Sequence, residues 1–142
     1  TDNFWSRILL QKLGCEFVER FDLQQGLADA ERLAEAAQRG DRLAVFPEGT
    51  FTRAPGLRPF HMGAFVTAAR AGLALQPVAL AGGRDRLRDG HWLPRRGAVR
   101  VTLGPVLDPG PLPGSEWERA LVLRDAARAA ILAGCGDTDL PR

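Results

Sequence analysis

The sequence predicts an α/β layer fold around a largely parallel or mixed sheet. Short apolar runs bounded by Gly, Pro or Arg alternate along the chain with longer stretches of helical spacing. The 142 residues show no internal repeat and no interdomain linker, so residues 1–142 form a single domain. At that length roughly two thirds of the unfolded surface is buried on folding, enough for a real core.

The elements follow in order. Residues 4–13 have helical spacing, with Phe4 above Ile8 and Trp5 above Leu9, and Gly14 as the stop. Residues 15–21 alternate and read as a short strand. Leu27, Ala30, Leu33, Ala34 and Ala37 trace one helix face, closed by Gly40. Residues 43–46 are apolar and predict a buried strand; 54–60 are a loop punctuated by Pro and Gly. Residues 61–71 read as a helix closed by Gly72. Residues 75–80 are a second apolar strand, in which Pro77 implies an edge or a bulge because it cannot donate to a ladder. Residues 82–97 read as a polar loop with Arg84, Arg86, Arg88, Arg95 and Arg96, and 98–103 as an alternating strand. After the Pro- and Gly-rich 104–114, Ser115 and Glu118 have capping-box spacing and open a helix expected to run to about Ala133. The tail from Gly134 reads as frayed.

Composition narrows the function classes. The net charge is only +2, and no aromatic residues are interleaved with the Arg residues in the manner of stacking platforms, so nucleic acid is not an expected partner. Eighteen of the 19 basic residues are Arg. A GC-rich genome produces that bias, and so does phosphate handling, since the guanidinium fork grips phosphate bidentately. Cys15 and Cys135 are far apart, and two His without Cys-x-x-Cys predict no metal site. No apolar run is long enough to span a bilayer, and the first residues lack a signal-peptide layout, so the expected setting is cytoplasmic. With serines only at 6 and 115 and no Gly-x-Ser-x-Gly, a serine hydrolase is not expected.

In open α/β sheets ligands gather beyond the C-terminal ends of strands. Arg20 lies near the end of the first predicted strand, and Glu48, Gly49, Thr50 and Arg53 follow the second. A carboxylate there can orient a hydroxyl, Gly49 admits close backbone approach, and two Arg forks can clamp a phosphate. The plainer alternative is a surface turn at 47–50, with Arg20 paired to Glu19 or Asp22.

The segment FPEGTFTR (46–53) followed by PFHMGAF (59–65) resembles the third sequence block of the glycerophospholipid acyltransferases, the lysophosphatidate acyltransferase superfamily. GCEFVER (14–20) is similar to the second block and LQPVAL (75–80) to the fourth, in the family's order. The stretch RDGHWLPRRGAVRVTLG (88–104) is similar to bacterial acyltransferase domains fused to acyl-activating enzymes, including lysophosphatidylethanolamine acyltransferase-like proteins. The resemblance implies a three-layer α/β sandwich, incomplete within this stretch. It implies transfer of a fatty acyl group to a lysophospholipid hydroxyl at the inner face of a membrane. Acyl-CoA or acyl-carrier protein serves as co-substrate, and no cofactor is needed. It implies that Glu48 holds the acceptor's hydroxyls, that Gly49 and Thr50 shape that wall, that Arg20 and Arg53 bind phosphate, and that Pro77 and Val78 line the acyl or acceptor side.

Three departures shape the expectation. The family's proton-abstracting block is His, four residues, then Asp, but His61 is followed five positions on by Val66 and His91 by Arg96. No catalytic residue of the dyad is therefore expected in this stretch, which by itself is expected to be inactive. A start at Thr1-Asp2 without Met agrees with a piece of a longer enzyme; a non-catalytic lipid- or phosphate-binding domain is the alternative. Phe51 stands where the third block usually has Arg, which passes the phosphate role to Arg53 or changes the head group. His61 replaces the usual Lys, either as a phosphate contact or as a solvent-facing residue at a helix start. The Arg-rich loop with Trp92 is a candidate membrane contact or a solvated loop.

Overall fold

The computed structural model describes residues 35–36, 39–41, 43–49, 55–86 and 95–140. The predicted helix 4–13, the strand 15–21, most of the helix before Gly40 and loop residues 87–94 lie outside them. So do Arg20, Thr50 and Arg53.

The described elements run α1 (Gly63–Ala71), β1 (Val78–Ala81), α2 (Gly83–Arg86), β2 (Arg100–Leu103) and α3 (Glu116–Cys135). Helix α1 ends as its sequence predicts. Gly72 adopts the left-handed conformation (φ 67°, ψ 32°), and the Leu73 N–H reaches back to the Ala68 carbonyl at 2.9 Å. Helix α3 begins on the predicted capping box. Ser115 Oγ accepts the Glu118 N–H at 3.3 Å, and Glu118 Oε2 accepts the Ser115 N–H at 2.7 Å.

Those bonds from Ser115, backbone first and hydroxyl second, hold the Glu118 carboxyl below its ordinary value. A carboxyl depressed in the folded state stabilises at pH above its ordinary value and loses that contribution as pH falls through the lowered one. The carboxylate's share of the cap is therefore expected to vanish in acid, while the Glu118 N–H to Ser115 Oγ bond remains. Glu118→Gln should remove that pH dependence, read as the urea midpoint against pH. Ser115→Ala should cost about 1 kcal/mol at neutral pH.

β1 and β2 pair antiparallel, with Val78 opposite Leu103 and Ala81 opposite Arg100. A bridge joins Leu75 to Leu107 further along, through reciprocal bonds of 2.9 and 2.8 Å. Between that bridge and the Val78–Leu103 pair, two residues of one strand face three of the other, which is a β-bulge. Pro77 sits in it, as its missing N–H requires. Its carbonyl accepts the Gly104 N–H at 2.8 Å, and the Gln76 side chain bonds the Gly104 carbonyl at 2.9 Å.

The core lies between α1 and α3. It is built from Leu57, Phe60, Phe65, Ala68, Ala69, Ala120, Leu123 and Ala127. The Phe60 and Phe65 rings stack at 6.1 Å between centroids. Helix α3 also packs on the inner face of the β ribbon. Gly134 makes this close approach possible: a Cβ there would lie 2.7 Å from Ala79 Cβ and 3.2 Å from Thr102 Cβ. Gly134→Val should therefore separate helix from ribbon and lower the thermal midpoint, whereas Gly134→Ser should cost less.

Three expectations need correction. Residues 43–46 form no strand in the structure. Leu43, Val45 and Phe46 are 40%, 50% and 77% exposed, because nothing among the described residues covers them or supplies a ladder. The described part of the tail, 134–140, is not frayed. Leu57 and Asp139 form a parallel bridge, with the Leu57 N–H on the Thr138 carbonyl (2.8 Å) and the Leu140 N–H on the Leu57 carbonyl (3.1 Å). The loop expected over 82–97 also contains one helical turn, α2.

Candidate functional site

The apolar run 43–46 leads into a tight turn. The Gly49 N–H donates to the Phe46 carbonyl at 3.0 Å, and Gly49 has φ 66°, a conformation that a residue with a Cβ adopts at a cost. Glycine is thus required at 49 by the turn itself. The turn sets Glu48, half-buried, against the segment that precedes α1.

Two hydrogen bonds pin the turn to that segment. The Arg58 N–H donates to Glu48 Oε2 at 2.9 Å, and the His61 N–H donates to the Pro47 carbonyl at 2.8 Å. Glu48 Oε1 has no hydrogen bond among the described residues. Among the described residues, then, the carboxylate is oriented through Oε2 by the Arg58 amide. A carboxylate held in this way accepts a hydroxyl proton in a hydrogen bond, and a charged acceptor makes such a bond stronger than a neutral one.

Of the sequence-predicted residues, the structure brings Glu48, Gly49 and His61 together through this pinned turn. The His61 side chain is exposed beside it. Pro77 is buried in the bulge and Val78 is 43% exposed at the start of β1; no hydrogen bond joins either to the turn at 46–49. Among the described residues no group of His, Cys, Asp and Glu is placed to hold a metal ion, and no helix is long and apolar enough to cross a membrane.

Sequence reasoning missed Arg58 and Arg128. Arg58 contributes its main-chain amide, which leaves no signal in side-chain pattern. Arg128 lies inside α3 with its side chain 17% exposed. Its guanidinium donates to the carbonyls of Arg58 (2.5 Å), Leu57 (2.8 Å) and Leu140 (3.3 Å), pairs with Asp139, and lies 5.1 Å from the centre of the Phe60 ring. Only its spacing among the small, apolar residues of α3 hinted that this Arg faces inward.

Comparison with known proteins shows which family the chain resembles. Residues 1–81 match the family model described as Acyltransferase. The chain is 36% identical over 141 residues to the lyso-ornithine lipid O-acyltransferase of Pseudomonas aeruginosa, covering 88% of this chain and 52% of that protein. It is 32% identical over 126 residues to a putative 1-acyl-sn-glycerol-3-phosphate acyltransferase of Caenorhabditis elegans, covering 87% of this chain and 44% of the relative. A chloroplastic 1-acyl-sn-glycerol-3-phosphate acyltransferase of Brassica napus is 30% identical over 123 residues, covering 86% and 33%. The chain thus spans about half the length of these relatives or less. No solved structure matches.

Proposed function

Because this chain belongs to the acyltransferase family, we propose that it supplies the acceptor-binding half of an enzyme that moves a fatty acyl group from a thioester to a lysolipid hydroxyl. The donor is acyl-CoA or acyl-carrier protein, and the acceptor is a lysophospholipid of the 1-acylglycerol 3-phosphate kind, met at a membrane surface. The hydroxyl oxygen attacks the thioester carbon, the C–S bond breaks, and the thiol leaves with a proton. The observation that carries the reading is Glu48, pinned through one oxygen by the Arg58 amide and with no second hydrogen bond among the described residues.

In this reading Glu48 holds the acceptor's hydroxyls, and the Gly49 turn brings backbone close to the glycerol. The roles assigned to Arg20, Arg53 and His61 are binding of the head-group phosphate, Thr50 belongs to the acceptor wall, and Pro77 and Val78 line the acyl or acceptor side. The general base comes from outside this stretch, since the 142 residues contain no His followed five positions on by Asp. General base catalysis contributes about 10²–10⁴-fold, so this stretch alone turns over poorly or not at all. The fold that accompanies the reading is the three-layer sandwich, in which α3, packed on the β1–β2 ribbon, belongs to one helical layer.

The missing His-Asp block favours a second reading, a domain that binds lysolipid without acylating it. The full-length protein, assayed with a thioester donor against 1-acylglycerol 3-phosphate and a lyso-ornithine lipid, separates them. Acyl transfer to one of the two is expected. Binding without transfer would establish the second reading.

A further inference from the structure

We propose that Arg128 is a positioning residue that aims Glu48 at the acceptor by locking the C-terminal tail onto the loop beneath it. The inference rests on the acceptor role of Glu48 given above and extends it to residues far away in the sequence.

The chain of contacts is continuous. Glu48 Oε2 is held by the Arg58 N–H. The carbonyls of Leu57 and Arg58, on either side of that amide, are both held by the Arg128 guanidinium, at 2.8 and 2.5 Å. The same guanidinium binds the Asp139 carboxylate and the Leu140 carbonyl, so the tail closes over it. The tail in turn bonds the backbone of Leu57 on both sides, through the Thr138 carbonyl and the Leu140 N–H. Leu140 also packs against Gly56, where a Cβ would lie 2.5 Å from Leu140 Cγ; the loop comes this close only because residue 56 is glycine. The Phe60 ring lies beneath the guanidinium, 5.1 Å from its centre to the guanidinium carbon, and attracts its charge.

A planar fork with five N–H donors is the one side chain that can serve three carbonyls and a carboxylate at once. Without it, nothing else among the described contacts holds the Arg58 carbonyl, and the Leu57 carbonyl, in the same peptide unit as the Arg58 N–H, keeps only the bond from the Leu140 N–H at 3.1 Å. Asp139 neutralises the fork, so the tail sets how firmly the loop is held.

The test measures equilibrium binding to the full-length protein, using 1-acylglycerol 3-phosphate or a lyso-ornithine lipid, whichever the wild type binds, and acyl-CoA separately. Arg128→Met is expected to weaken the acceptor by about tenfold, within the loss that a misplacement of about 1 Å produces. Acyl-CoA binding should be unchanged, and Arg128→Lys should not restore the loss. Asp139→Ala, at a half-exposed position that the fold tolerates, should weaken the acceptor less and in the same direction, and it keeps the test open if Arg128→Met fails to fold. In a Glu48→Ala background neither substitution should have a further effect. Equal loss of donor and acceptor, or full additivity with Glu48→Ala, would overturn the positioning role while leaving the acceptor wall intact. Wild-type acceptor binding by Glu48→Ala, or no binding of either lipid by the wild type, would overturn both.

Discussion

Glu48→Ala in the full-length protein is expected to lower kcat/KM for the lysolipid acceptor by one to two orders of magnitude, with the melting temperature nearly unchanged. A hydrogen bond to a charged group contributes about 1.5–3 kcal/mol, which sets that range. The fold should survive because Glu48 is half-buried and makes one hydrogen bond to the described residues, to an amide that faces an exposed loop. Glu48→Gln separates charge from geometry. It can still accept the Arg58 N–H and a hydroxyl proton, so it should lose less than Ala. Activity in Glu48→Gln as low as in Glu48→Ala would mean that the charge, rather than the hydrogen bond, carries the contact.

Leu123→Ala is expected to have the largest effect on stability. Leu123 is 1% exposed and sits in the cluster where α3 meets α1 and the loop at 57–60. Removing a buried leucine costs about 2–5 kcal/mol, from lost transfer energy and the cavity left behind. A domain with total stability of about 5–15 kcal/mol loses a large share of it. Val122, its neighbour on the same helix, is 50% exposed, so Val122→Ala should change stability by less than about 0.5 kcal/mol. Urea midpoints of the two variants check the contrast. Because the same cluster carries Leu57 and Phe60, which flank Arg58, Leu123→Ala should also weaken acceptor binding, as a consequence of lost packing.

The elements most legible in the sequence were those with local chemistry at their ends. The Ser115–Glu118 box announced α3, Gly72 closed α1, and the missing N–H of Pro77 announced the bulge, because each depends on residues within a few positions. The segment 43–46 was illegible for the opposite reason. An apolar run says that a strand is possible, but exposure depends on what lies against it, and the described residues supply no partner. The tail failed in the same way. Gly, Asp and Thr in 134–139 suggested fraying, yet the segment is held by Arg128 and by the bridge from Asp139 to Leu57, a pairing of distant residues with no local pattern. The order of motifs singled out Glu48, Gly49 and His61, which the structure brings together at one turn. The Arg58 amide that aims Glu48 was not, since every residue but proline carries one.

The measurement that tests the account most directly is equilibrium binding of acceptor and donor to the full-length protein and to its Glu48→Ala variant. The account predicts that 1-acylglycerol 3-phosphate or lyso-ornithine lipid binds the variant at least about tenfold more weakly while acyl-CoA binds both proteins alike. Unchanged acceptor binding, or a loss shared equally by acyl-CoA, would contradict it.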